Sequence, residues 1–173
     1  MSNTDPTATL GKYFIWFAWI AALGLLAFVF QSVLEQQLNP NTNPENHLNS
    51  QGQAEVILQQ NKQGHYVASG KINEIAVTFL LDTGATQVSI PAHIADTLNL
   101  TTHGQGIANT ANGQVRIYYT KINSLSIGNI TLYDVNAHIN PGMKTNEILL
   151  GMSALKRVEF SQTGKQLKLR EIN

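Results

Sequence analysis

Phe79-Leu80-Leu81-Asp82-Thr83-Gly84-Ala85-Thr86 is the stretch from which the rest of the chain is read. Three large apolar residues run straight into an acid and a turn. A carboxylate at the end of a buried strand sits at the edge of a core, partly desolvated. Thr83 offers a hydroxyl, and Gly84 lets the backbone turn away without a Cβ clash. Such a loop holds a carboxylate rigidly, as catalysis requires. Asp, Thr and Gly are also ordinary turn residues, so the triplet alone is compatible with a plain turn. The apolar run before it and Ala85-Thr86 after it narrow the reading.

Outward from this loop, residues 54–173 are a series of short β-rich runs. Val56-Ile-Leu, His65-Tyr-Val-Ala, Ile75-Ala-Val-Thr-Phe-Leu-Leu, Gln114-Val-Arg-Ile-Tyr-Tyr, Leu125-Ser-Ile, Ile130-Thr-Leu-Tyr-Asp-Val and Leu167-Lys-Leu read as strands. Asn112-Gly113 and Gly128-Asn129 read as hairpin turns, with Gln162-Thr163-Gly164 as a third. Pro91 starts a short helix that Asn99 ends. A second short helix is predicted over 152–157. The class is all-β with one or two short helices.

The N-terminal third has a different texture. Residues 13–30, YFIWFAWIAALGLLAFVF, carry no charge. As a helix they span about 27 Å, close to the hydrocarbon thickness of a bilayer. Apolar residues occupy every face, and Tyr13, Trp16 and Trp19 crowd one end. A transmembrane helix is the expectation. The absence of a small-x-small site after it argues against a cleaved signal peptide. Residues 1–12 then form a cytoplasmic N-terminus. Residues 31–53, rich in Asn, Gln and Pro, read as a polar linker, whose first part, Ser32 to Leu38, can also continue the anchor helix past the headgroups. Lys12 precedes the span and no Lys or Arg follows it until Lys62, so the positive-inside rule puts residues 54–173 on the exported side. In a bacterial cell that is a single-pass inner-membrane protein with a periplasmic domain.

Composition excludes several chemistries. The chain has no Cys, which removes disulfides, thiolate nucleophiles and iron–sulfur clusters. Lys+Arg and Asp+Glu are both 11, leaving no basic excess for nucleic acid. Residues 1–53 carry a net charge of −2 and residues 54–173 one of +2. The five His residues show no metal-ligand spacing, so no metal is expected. Ser89, His93 and Asp96 do not form a convincing triad, because His93 and Asp96 are i,i+3 neighbours on a short helix.

Residues 79–86 resemble the active-site loop of aspartic proteases, and the single copy resembles the retropepsins, the half-size members of that group. Ile148-Leu149-Leu150-Gly151 resembles their second apolar-apolar-Gly strand, which closes around the catalytic turn, and a short helix with Leu155 follows it. Residues 107–119, centred on Thr110-Ala111-Asn112-Gly113, occupy the position of the flap hairpin. Residues 138–143, with Asn140-Pro141-Gly142, fall where a loop lines the substrate cleft. The likeness covers about residues 56–160. Together with the apolar span, the chain resembles the bacterial membrane-anchored members. It departs from the family where an acid and an Arg commonly pair across the dimer, since Thr86 and Met152 stand there.

The resemblance implies a closed β-barrel half and a peptide or protein substrate. It implies Asp82 as the catalytic acid, with Thr83, Gly84, Ala85 and Thr86 shaping its loop. Thr110, Ala111, Asn112, Gly113, Pro141 and Gly142 would line the cleft, and Leu149, Leu150 and Gly151 would close the loop. It requires no cofactor. One Asp82 cannot share a proton with itself, and the chain holds no second Asp-Ser/Thr-Gly. A homodimer would bring two Asp82 carboxylates together, one ionised as general base and one neutral as donor; this dyad is a standard example of like charges splitting their pKa values. The domain length suits half of a two-lobed enzyme. The alternative is a silent module of the same fold that binds peptides without cutting them.

Overall fold

The computed structural model describes residues 6–110 and 113–172. The chain divides into two compact units, with the boundary between Gln37 and Leu38. Helix α1 runs over Pro6–Leu38, longer at both ends than the apolar run of 13–30. Its stretch Tyr13–Leu38 is long and apolar enough to cross a membrane. Trp16, Phe17, Leu26 and Phe28 are exposed, as expected of a helix that is apolar all round.

The second unit holds eleven strands and two short helices. In chain order they are β1 (Glu45–Leu48), β2 (Ala54–Gln59), β3 (Val67–Ile72), β4 (Ile75–Leu81), β5 (Val88–Pro91), α2 (Ala92–Thr97), β6 (Thr102–Thr110), β7 (Gly113–Ile127), β8 (Ile130–Asn140), β9 (Glu147–Leu150), α3 (Met152–Leu155), β10 (Val158–Thr163) and β11 (Gln166–Glu171). The larger sheet has the order β3-β4-β9-β5-β8-β7-β6, and an extra pairing of β3 with β7 closes its first six strands into a barrel. Strand β6 hangs outside that closure, on β7 alone. Strands β1, β2, β11 and β10 form a separate four-stranded sheet.

The core follows from alternation along these strands. Phe79 on β4, Val88 and Ile90 on β5, Ile122 and Leu125 on β7, Val135 on β8 and Ile148 on β9 point into one apolar cluster. Val56 and Leu58 of β2 and Leu167 and Leu169 of β11 join it from the smaller sheet. Full burial of each large side chain contributes roughly 1.5–3 kcal/mol. Turn residues set the hairpins. Gly128 at φ +57° lies between the paired Ile127 and Ile130, and Gly164 at φ +58° lies between Thr163 and Gln166.

Within the segment 31–53, helix α1 continues to Leu38 and the part after it is not plain linker. Residues 31–38 belong to α1, and residues 45–48 form strand β1 on β2. Asparagine side chains do the stitching. Asn41 is buried; its Nδ2 donates to the carbonyls of Gln59 and Val67, and its Oδ1 accepts from the Gln59 N–H at 2.6 Å. Asn61 Nδ2 donates to the Leu38 carbonyl, and Asn46 Oδ1 accepts from the Asn129 N–H. Asn and Pro density was legible as turn chemistry, but the same side chains also replace ladder hydrogen bonds. The folded unit therefore starts at Leu38 rather than Ala54.

Candidate active site

Asp82 follows directly on β4, and β4 is held from one side by parallel β9, with Leu80 opposite Leu149 and Leu81 opposite Leu150. The ladder continues one step into the loop, where the Asp82 N–H donates to the Leu150 carbonyl at 3.2 Å. The carboxylate is then fixed from its own turn. Its Oδ1 accepts from the Gly84 N–H at 2.9 Å, and the Asp82 carbonyl accepts from the Ala85 N–H. Asp82 is half-buried, while Thr83, Gly84 and Thr86 are exposed. Among the described residues, Asp82 has no ion-pair partner and no group of three or more acids and histidines could hold a metal.

The loop leans on the corner between β9 and α3. The Met152 N–H donates to the Ala85 carbonyl at 2.8 Å and the Ser153 N–H to the Thr86 carbonyl at 3.0 Å. One bond starts at Met152 and the other ends at Thr86, the two positions where the family's charged residues are missing. Gly151 makes the approach possible, since a Cβ there would stand 2.3 Å from the Gln87 carbonyl oxygen and 2.6 Å from that of Ala85. Ser153, which the sequence reading passed over, ties three elements. Its Oγ accepts from the Val88 N–H and donates to the Asn136 carbonyl. Only its place two residues after Gly151 could have drawn attention to it.

The hairpin expected over 107–119 is formed by β6 and β7, with Ala108 opposite Val115, Asn109 opposite Gln114 and Thr110 opposite Gly113. Ala111 and Asn112 lie outside the described residues. Thr110 and Gly113 are exposed at the hairpin end. The cleft-loop expectation is shortened: His138 and Asn140 belong to β8, and the turn proper is Pro141-Gly142-Met143. Asn140 Oδ1 accepts from the Gly142 N–H, closing that turn. The turn meets the hairpin, because a Cβ on Gly142 would stand 3.1 Å from Val115 Cγ1. So two pairs of sites come together: the Asp82 loop with residues 149–151, and the hairpin with the Pro141 turn.

Away from the loop, two basic side chains of β11 converge on one acid of β2. The side chain of Glu55 is 9% exposed and takes Lys168 Nζ at 3.0 Å and Arg170 Nη2 at 3.3 Å. The hydrogen bond from Lys168 leads in holding the Glu55 carboxyl below its usual range, with that from Arg170 adding to it.

A closed six-stranded barrel, an acid in an Asp-Thr-Gly turn, and a second apolar strand ending in Gly against that turn define the aspartic-protease half-barrel. The model of the gag-polyprotein putative aspartyl protease family matches residues 68–157, just over half of the chain, and the chain belongs to that retropepsin-like family. The fold is similar to that of a retropepsin-like aspartic protease from Rickettsia conorii, with 27% identity, a TM-score of 0.56, and coverage of 66% of this chain and 98% of that one. An uncharacterized protein in the cobV 5′ region of a Sinorhizobium species is 30% identical over 70% of this chain and 54% of its own length. The uncharacterized protein RP867 of Rickettsia prowazekii is 27% identical over 65% of this chain and 49% of its own length. The chain thus spans about half the length of the curated relatives it matches.

Proposed function

We propose that the protein is an aspartic endopeptidase that works as a homodimer, each copy contributing one Asp82. The observation that carries this reading is the fixed Asp82 turn, with Oδ1 on the Gly84 N–H and the loop braced by the Gly151 corner. A carboxylate held by a single donor from its own turn leaves the other oxygen open for a partner. Two such carboxylates brought within about 3 Å cannot both ionise, so they share one proton. The ionised Asp82 takes a proton from water, and the neutral one donates to the scissile carbonyl. The pair titrates as a unit. The exposed Thr83 and Gly84 are available to a facing loop and to substrate backbone. The 107–119 hairpin and the Pro141 turn cover the cleft.

Helix α1 anchors the enzyme in a bacterial inner membrane, N-terminus inside and barrel outside, as the Lys12 asymmetry favours. Two tethered copies meet at raised effective concentration. The test is Asp82→Asn in the full chain, which abolishes peptide cleavage and leaves thermal unfolding unchanged.

A second reading has its own motivation. Thr86 and Met152 replace the pair of opposite charges common in the family, which suits a barrel that binds peptides without cutting them. Peptide binding that is equal in the native chain and Asp82→Asn, with no cleavage by either, selects that reading.

A further inference from the structure

The outer face of the barrel carries a row of side chains that belongs neither to the core nor to the Asp82 turn. Strand register defines it. Leu80 on β4 lies opposite Leu149 on β9, Leu149 opposite Ser89 on β5, Ser89 opposite His138 on β8, and His138 opposite Tyr119 on β7. Registered partners share a face, and the neighbours Phe79, Ile148, Ile90, Ala137 and Ile139 point the other way into the core. Leu80 lies two residues before Asp82. At the other end the Tyr119 ring lies over β6, where a Cβ on Gly106 would stand 2.4 Å from its hydroxyl. The row therefore runs from the acid-bearing strand to the base of the hairpin.

Its polar members differ in what they have left to offer. Ser89 is 3% exposed, and its Oγ donates to Met143 Sδ at 3.1 Å. Tyr119 reaches away over Gly106. His138 is half-buried, and its ring makes no hydrogen bond or ion pair with any described residue. Burial holds its ring below the ordinary His range, so it is neutral near pH 7. The groups around it are uncharged: Ser89 from β5, Tyr119 from β7, Asn136 and Asn140 from its own strand, and Met143 from the turn. The next charges on this face are Lys121, already 2.9 Å from Asp134, and Glu147, which lies beyond Leu149 on β9.

We propose that His138 is a specificity-determining residue of the cleft. When neutral it hydrogen-bonds an uncharged amide or hydroxyl side chain of the substrate, and when protonated it selects a carboxylate. Counted along the curved sheet through β9 and β5, three strand spacings of about 4.8 Å separate it from Leu80. With Leu149 and Ser89 standing between it and Leu80 in the row, its partner is a side chain flanking the scissile bond rather than the bond itself. This inference rests on the peptidase reading above.

The experiment uses the full chain in detergent and matched peptides that differ by one Glu/Gln exchange at each position around the cut. The ratio of kcat/KM for the two members of a pair cancels the titration of the Asp82 dyad. In the native chain the Glu:Gln ratio at one position rises about tenfold as pH falls from 7.5 to 5, above the range where the peptide's own Glu is protonated. In His138→Gln the ratio stays flat. Ratios that follow the same pH course in both proteins overturn the proposal. A second readout needs no turnover. In Asp82→Asn, the His138 ring signal, assigned by its loss in His138→Gln, titrates at higher pH with the bound Glu peptide than with the Gln peptide. An unmoved midpoint overturns the proposal. Cleavage of no peptide by the native chain overturns the peptidase reading instead, and the ring titration still decides the role of His138.

Discussion

The Met152 N–H lies 2.8 Å from the Ala85 carbonyl oxygen, so the corner after β9 is bonded through main chain to the loop that carries Asp82. Main-chain bonds depend on approach, not on side-chain identity, so this corner holds the loop with Thr86 and Met152 in place. Their weak point is Gly151.

Gly151→Ala places a methyl 2.3 Å from the Gln87 carbonyl and 2.6 Å from that of Ala85, and both contacts are backbone. Overpacking of this kind costs about 1–3 kcal/mol. Denaturant unfolding at constant m-value measures the loss, and activity falls further than stability because the displaced loop carries Asp82.

Asn41→Ala removes two donated hydrogen bonds and one accepted one from a buried position, leaving the Gln59 and Val67 main-chain groups without that partner. At about 1–3 kcal/mol for each of the three groups left unsatisfied, the loss is at least about 3 kcal/mol. By the same argument, a fragment beginning at Leu38 unfolds at higher temperature than one beginning at Ala54. Equal melting temperatures would show that residues 38–53 are not part of the folded unit.

Glu55→Gln removes the carboxylate shared by Lys168 and Arg170. The folded-state pKa of Glu55 lies below its unfolded value of 4.5, so its contribution is fully present above pH 4.5. It is lost as pH falls through the lowered folded value. The variant is destabilised by about 1–3 kcal/mol at pH 7, as for a hydrogen bond to a charged group. Melting temperatures of the two proteins converge on acidification below pH 4.5. A gap that persists at low pH would place the effect in packing rather than charge.

Much of this architecture was legible in the chain. Ile75–Leu81 is the predicted strand end to end, because β-branched and large apolar residues run unbroken into the Asp82 turn. Turn chemistry placed Gly128 and Gly164. The Asp82 loop and the 148–151 strand meet as the motif spacing implied. Strand β1 and the first half of β6, before the hairpin expected from residue 107, were not legible. Both are exposed along nearly their whole length, with polar sequences such as Glu-Asn-His-Leu, and edge pairing rather than hydrophobic alternation makes them strands. The row from Leu80 to Tyr119 was hidden for another reason. It is assembled from five strands, and only pairing register brings its members side by side.

The proposed dyad needs two Asp82 carboxylates from two copies of the chain, and subunit mixing tests this most directly. Native chain is co-reconstituted with a ninefold excess of Asp82→Asn, and peptide cleavage is measured per native chain. With random pairing only about one-tenth of native chains find a native partner, so the account predicts activity per native chain falling about tenfold by mass action. Activity per native chain that is unchanged by the excess would contradict it.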